Sequence, residues 1–393
     1  MAGEQVTPVE MIRRLVAFDT VSSESNLALI DHVAEFLAGH GIDCRRTYDE
    51  TGRKANLFAT IGPERPGGVV LSGHTDVVPV AGQDWETDPF TLSQRDGRLY
   101  GRGAADMKSF IALALAMVPA FKEKPLETPI HLAFSYDEEV GCRGVGRLID
   151  DVVANLPRPR MVIVGEPTSM QVVTAQKSCL VFRTRIKGRN AHSSQTDRGA
   201  NAVIAAARLI GLLAELAEEK KAQAPAGSRF DPPYTTIHVG TIQGGTAGNI
   251  IPDDCSFDWE IRGLPGESGE PVLDRLHQFA ETRVLPPMRV VAPEAGVETE
   301  RLAVVPSLMV EEGAPAERLV TLLTGANDTA AISYGSEAGL FQAAGMSTVV
   351  CGPGSIDQAH KPDEFIALDQ VEACAAFLRK LAQWAQGKPP DVL

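Results

Sequence analysis

Cysteine is sparse and never closely paired in this chain. The six residues, at 44, 142, 179, 255, 351 and 374, include no CxxC spacing. That argues against a thiolate zinc cage or a disulfide framework, and fits a reducing cytoplasm. Basic charge is also short. The formal net charge of −14 disfavours nucleic acid or anionic membrane as the main partner, since both call for a basic surface. An anionic small molecule stays compatible, because one pocket can differ in sign from the whole. Long apolar runs are missing as well. The most hydrophobic stretch, "IALALAMVPAF" (111–121), is too short to span a bilayer. The opening "MAGEQVTPVEMIRRLVAFDT" has acidic residues and no apolar signal core, so a soluble, cytoplasmic protein is expected.

What is present is ordinary for a globular protein: 44% hydrophobic and 22% charged residues over 393 positions, enough for two domains. Short β-branched runs alternate with helical segments, the pattern of an α/β sheet covered by helices. Strands are expected around 69–73, 130–136, 161–165 and 347–352. Helices are expected over 8–18, 26–39, 107–121, 316–324 and 367–386. The stretch 179–299 reads differently. It holds "CLVFRTRIKG", a helix around 199–221, "TTIHVGTIQGG", "CSFDWEIRGL", a helix around 270–283 and a closing "RVVAP". Two hairpin-like strand pairs with two helices suggest a small α+β domain inserted into a larger one made of 1–178 and 300–393.

All four expected strands of the larger domain end in polar residues. The first gives His74 and Asp76, two apart and so on one side of an extended chain. The second runs into Asp137, Glu138 and Glu139, the third into Glu166, and the fourth leads through "GPGSIDQAH" to His360. Asp106, in "GRGAADMK", stands at the start of a helix, where a carboxylate can also serve as a cap. Sites in open α/β sheets form outside the carboxyl ends of the strands. Imidazole and carboxylate donors without thiolate favour zinc or a similar divalent ion. Five such donors exceed what one catalytic ion needs and suit two ions sharing a carboxylate. Three carboxylates against two divalent ions leave an excess positive charge, which would lower the pKa of a bridging water. Of the adjacent pair Glu138 and Glu139, one can bind metal while the other moves protons.

"LSGHTDVVP", "DPF…DGRLYGRGAADMKS", "SYDEEVG", "GEPT" and "GPGSIDQAHKPDEF" together closely resemble the M20 family of zinc-dependent deacylases and peptidases, over nearly the whole chain. The resemblance implies a zinc-peptidase-like α/β catalytic domain with an inserted lid that makes a homodimer. It implies that His74 and Glu166 bind one metal, zinc or cobalt, and Glu139 and His360 the other, with Asp106 bridging. Asp76 would orient His74, and Glu138 would be the general base and acid. His192, in "GRNAHSSQ", would reach the partner subunit's site and stabilise an oxyanion. Asn249 and Arg262 would hold the carboxylate of an N-acyl amino acid, Arg262 by a bidentate fork. Glu337, in "YGSEAGLF", is expected from its charge to hold a side-chain amine. The final motif is most like that of the members cleaving acetylornithine, a step of arginine biosynthesis. Members cleaving succinyl-diaminopimelate, broader N-acyl-amino-acid deacylases and carboxypeptidases are the enzymatic alternatives, and a metal-free binding relative the non-enzymatic one.

Several features carry simpler readings. His32, His40, His131, His238 and His277 have no motif around them and are taken as core or surface residues. "GRGAADMK" lacks the spacing of a phosphate loop, and Ser193 and Ser194 beside His192 lack a nucleophile elbow. Arg262 could simply pair with an acid of the inserted domain.

Overall fold

Strands Ile130–Ser135, Val69–His74, Met161–Pro167 and Ser347–Gly352 lie side by side and parallel in the computed structural model of the chain, which describes residues 4–387. The first three are buried at every position. A parallel sheet covered on both faces has this signature, and it explains why the runs read as unbroken apolar stretches rather than alternating ones. The sheet is completed by further strands at both margins. Ala55–Ile61 and Cys44–Tyr48 lie beyond Ile130–Ser135, and Val173–Gln176 and Ala330–Ile332 beyond Ser347–Gly352.

Helices Pro8–Val16, Lys108–Ala116 and Leu368–Ala385 join the sheet in one core that includes Leu15, Leu71, Phe110, Leu132 and Leu378. Pro8–Val16 starts where Thr7 accepts the Glu10 amide at 3.2 Å and Pro8 supplies a pre-set backbone angle. The helix expected over 107–121 is two pieces, Lys108–Ala116 and Val118–Phe121, broken at the residues preceding Pro119. All of Lys108–Ala116 is buried, so its polar members must bond inward. The Lys108 ammonium donates to the Phe18 carbonyl at 2.7 Å and the Ser109 hydroxyl to the Ala104 carbonyl at 2.6 Å.

The chain forms two contact units. One runs to Ala175 and resumes over Leu308–Ala331 and from Ser336; the other is Gln176–Ser307 with Ile332–Gly335. The second unit holds a four-stranded antiparallel sheet in the order Thr236–Gly244, Asp254–Arg262, Cys179–Lys187, Gly296–Val305. Helices Ala202–Ala222 and Glu270–Phe279 contribute to its core. Asp254–Arg262 alternates buried and partly buried positions, as a strand with one covered face should. There Trp259 stacks on Phe182 at 4.4 Å between ring centres and donates to the Thr184 hydroxyl at 3.0 Å. The fourth strand is Gly296–Val305 and not "RVVAP", whose first residues finish helix Leu285–Val291. That strand stays paired with Cys179–Lys187 as far as Val305 opposite Cys179, which carries the unit past the expected end at 299. No described helix is long and apolar enough to cross a membrane.

Candidate active site

The donors sit where the parallel strands stop. His74 is the last residue of its strand, and Asp137, Glu138 and Glu139 follow Ile130–Ser135 after Tyr136. Glu166 lies near the end of Met161–Pro167, beside an irregularity in pairing with Ser347–Gly352. Two glycines make that close packing possible. A Cβ on Gly165 would fall 2.1 Å from the Phe110 ring, and one on Gly352 would fall 2.1 Å from the Gly165 carbonyl oxygen.

These residues converge on the Asp106 carboxylate. Its Oδ1 lies 3.0 Å from His74 Nε2, and its Oδ2 lies 3.3 Å from His360 Nε2. Glu166 Oε1 is 3.9 Å from the same His74 nitrogen, and Glu139 Oε2 is 3.1 Å from that of His360. Donor atoms of His74, Asp106 and Glu139 lie within 4.8 Å of one another, and so do those of His74, Glu138 and Glu166. His74, Asp106 and Glu166 are buried, whereas the His360 side chain is 52% exposed. Asp106 does not cap the following helix, where the cap position is Met107 and no side-chain bond is made.

Asp76 holds His74 by a different group than its carboxylate. The His74 Nδ1–H donates to the Asp76 main-chain carbonyl at 2.9 Å, while the carboxylate stands 3.7 Å away. That carboxylate instead accepts the amides of Glu138 at 3.1 Å and Glu139 at 3.3 Å, and the Ser22 hydroxyl at 2.7 Å. The chain turns sharply after the strand, which leaves those amides without a sheet partner, and the buried carboxylate satisfies them. The turn is bracketed by non-glycine residues with left-handed backbone, Asp137 at φ 57° and Cys142 at φ 54°; His360 has φ 64°. Within it the amides of Gly141 and Cys142 donate to the Glu138 carbonyl, and the Cys142 thiol donates to Glu138 Oε1 at 3.2 Å. Lys54 pairs with Asp137 at 2.5 Å. Nothing in the sequence marked Ser22 or Cys142 as part of this arrangement. Ser22 reaches Asp76 across 54 positions of chain, and Cys142 is one of six scattered cysteines.

Burial pushes the Glu138 carboxyl up to about 8 and that of Glu139 up to about 7, with like-charged neighbours adding to both shifts. Burial and the Asp106 charge hold Glu166 well above the usual range. Burial works against charge on His74, yet the Asp106 hydrogen bond and the surrounding carboxylates raise it well above an ordinary histidine. Hydrogen bonds to Asp106 and Glu139 raise His360 to about 10. So many carboxylates this close are costly unless protons or cations stand between them. Glu139 Oε1 and Glu166 Oε1 are buried and have no hydrogen-bond partner. With His74 Nδ1 donating to a carbonyl, Nε2 faces Asp106 at 3.0 Å, where a proton on the ring or a shared cation satisfies both groups. Unpaired buried oxygens and a purely imidazole and carboxylate donor set both fit divalent metal ions of the zinc class.

The remaining predicted residues are set differently. Glu337 is 1% exposed, and its two oxygens receive the Ser72 hydroxyl at 3.2 Å and the Ser135 hydroxyl. It ties strands Val69–His74 and Ile130–Ser135 together through Ser72 and Ser135. His192, Asn249 and Arg262 belong to the second unit. His192 and Asn249 are exposed and close in the chain fold: His192 pairs with Ile250 across two short strands, and the Ser193 amide donates to the Asn249 carbonyl at 2.9 Å. The Ser194 amide donates to His192 Nδ1 at 3.2 Å, which places the ring proton on Nε2. Arg262 makes a two-pronged bond to Glu260 at 2.8 and 3.1 Å.

An M20 family metallo-carboxypeptidase from Sulfolobus solfataricus shares the fold with a TM-score of 0.76 over 97% of this chain and 99% of that one, at 17% identity. A dinuclear metal-binding peptidase of the M20 family from Bacillus subtilis does so with a TM-score of 0.64 over 95% and 96%, at 16% identity. In sequence, the acetylornithine deacetylase of Myxococcus xanthus is 35% identical over 96% of this chain and 97% of its own length. That of Proteus mirabilis is 34% identical over 96% of each. The profile of Peptidase family M20/M25/M40 matches residues 70–384, and the chain belongs to that family of metal-dependent hydrolases.

Proposed function

We propose that the chain hydrolyses N2-acetyl-L-ornithine to L-ornithine and acetate, a step of arginine biosynthesis, with two divalent ions, zinc or cobalt. The observation that carries the metal chemistry is the Asp106 carboxylate set between His74 and His360, one oxygen to each. The choice of substrate rests on the full-length likeness to acetylornithine deacetylases. His74 and Glu166 would hold one ion, Glu139 and His360 the other, and Asp106 both. When bound, the ions polarise the acyl carbonyl and acidify a water.

The other steps belong to side chains. Glu138, with its carboxyl near 8 before any ion binds, takes the proton of the attacking water and passes it to the departing α-amine. The Nε2–H of His192, its tautomer set by the Ser194 amide, donates to the oxyanion of the tetrahedral intermediate in the partner subunit's site. Arg262, exchanging Glu260 for substrate, and Asn249 hold the α-carboxylate. The cytoplasmic homodimer is part of this reading, because His192 acts in trans. The test is an assay on acetylornithine, succinyl-diaminopimelate and several acetyl-amino acids, with and without a chelator. Acetylornithine should be the fastest, with activity lost to chelator and restored by zinc or cobalt. Faster cleavage of succinyl-diaminopimelate would replace the substrate, and turnover indifferent to chelator would remove the metal chemistry.

A further inference from the structure

A second buried carboxylate does for Asp106 what Asp76 does for the Glu138 turn. Glu364 is 1% exposed, and its Oε1 accepts the amides of Ala105 at 2.7 Å and Asp106 at 3.0 Å. Its Oε2 accepts the Gly103 amide at 3.1 Å and the Arg102 guanidinium at 2.7 Å. Its own carbonyl accepts the Gly101 amide at 2.9 Å. One side chain thus fixes the segment that delivers Asp106. Arg102, also 1% exposed, extends the link: its second nitrogen donates to Gln83 Oε1 at 2.5 Å, with the Trp85 ring 5.0 Å from the guanidinium. Gln83 in turn donates to the main-chain carbonyl of His360 at 2.9 Å.

We infer that Glu364, Arg102 and Gln83 are positioning residues that lock the backbones of Asp106 and His360 to each other, so that one half of the metal centre is preformed. The inference rests on reading the cluster as a two-metal site. Fold stability alone is a poor account of the network. A fully buried ion pair contributes little net stability, because desolvation offsets the attraction. Its hydrogen bonds also go almost entirely to the two ligand-bearing segments. His360 has most need of such a tie, because half of its side chain is exposed and its backbone is left-handed. Groups that orient ligands without touching the metal typically change metal affinity by about ten- to hundredfold.

The experiment uses the full chain stripped of metal. Zinc is titrated against a chromophoric chelator into wild type, Glu364→Gln and Gln83→Ala, while melting temperature and amide exchange at residues 103–106 are followed without metal. Gln83→Ala removes the tie to His360 and, with it, the oxygen that accepts from Arg102 and the Trp85 indole, while leaving the Glu364 bonds to the Asp106 segment in place. It should weaken one of the two zinc equivalents by about tenfold or more and leave the other unchanged, whatever it does to the metal-free melting temperature. Glu364→Gln should speed exchange of the Ala105 and Asp106 amides and weaken both equivalents, because Asp106 serves both. Two wild-type zinc affinities in both variants, with only the melting temperature lowered, would reduce the network to a fold contact and overturn the inference while leaving the metal site standing. Wild type taking up fewer than two zinc ions would overturn the two-metal reading and the inference with it. Unchanged amide exchange in Glu364→Gln would overturn the inference alone.

Discussion

In the first unit most of the clustered donors are buried, and main-chain groups hold the turns that carry them; in the second, His192 is exposed and Arg262 half-buried, and the side chain of each is bonded to a near neighbour in sequence. His74 and Glu166 are 1% and 4% exposed, and Asp76 and Glu364 are each bonded to amides of the turns that carry donors. The His192 ring is held by Ser194 and the Arg262 guanidinium by Glu260, each two residues away. A buried cluster of like charges has one stable arrangement, and a change there alters what it binds. An exposed donor acts only when its target arrives, so a change there alters rate and leaves the fold intact.

The largest effect tests the division of labour inside the buried cluster. Glu138→Gln should keep both metals and lose about a hundredfold to ten-thousandfold in kcat, the usual contribution of a general base. Glu139→Gln should instead lower metal content, because it removes a charged ligand. Metal analysis beside kcat decides between them, and identical behaviour of the two variants would erase the distinction.

Against this, His192→Ala should lower kcat by about a hundredfold to a thousandfold with metal content and melting temperature unchanged. Mixing inactive His192→Ala and Glu138→Ala chains then asks where the histidine acts. In a mixed dimer one site is whole and the other carries both defects. With half the dimers mixed, about a quarter of wild-type activity should return. No recovery after exchange verified with tagged chains would confine His192 to its own subunit or remove it from catalysis.

A buried imidazole without a carboxylate partner sharpens the contrast from the side of stability. His131 is 2% exposed, bonded through Nδ1 to the Thr60 hydroxyl at 3.0 Å and stacked on Phe58, and burial lowers it to about 4. Its folded value lies below its unfolded value near 6.5, so the neutral ring stabilises the fold fully above that pH. The contribution is lost as pH falls toward 4, and amounts to roughly 3 kcal/mol. Denaturant unfolding of wild type and His131→Phe from pH 7 to 4 should show the variant gaining about that much relative to wild type. Parallel curves would mean that burial does not hold the His131 value below that of the unfolded chain.

The smallest effect concerns the thiol on Glu138. Cys142→Ala should lower kcat by roughly a few-fold, because a weak charge-assisted hydrogen bond is lost, and Cys142→Ser should restore it. An alanine variant as fast as wild type would leave the thiol no part in orienting the base.

The four parallel strands and their donors were legible in the sequence for one physical reason. A doubly covered strand must be apolar throughout, so the first polar residues after each run mark its carboxyl end. Asp76 was legible as a partner of His74 but not by which group, because carbonyl and carboxylate of one residue are indistinguishable in a string of letters. The partners of Glu337 were hidden for a related reason. Its charge suggested a cation, and only the fold brings Ser72 and Ser135 onto it across 265 and 202 positions. Strand Gly296–Val305 was missed because its polar, half-exposed "GVETER" start hides the alternation, whereas "RVVAP" displays β-branched residues that finish a helix.

The left-handed residues at 137, 142 and 360 bear on how such a protein can be made hardier. A side chain in that backbone region costs about 1–2 kcal/mol, which glycine would not incur. A screen for heat resistance alone would therefore drift toward glycine at these places. At 137 that would release Lys54, at 142 it would release the oxygen of Glu138, and at 360 it would delete an imidazole from the site. Durability and turnover pull on the same three backbone positions in opposite directions, and the aspartate, cysteine and histidine now there record which demand prevailed.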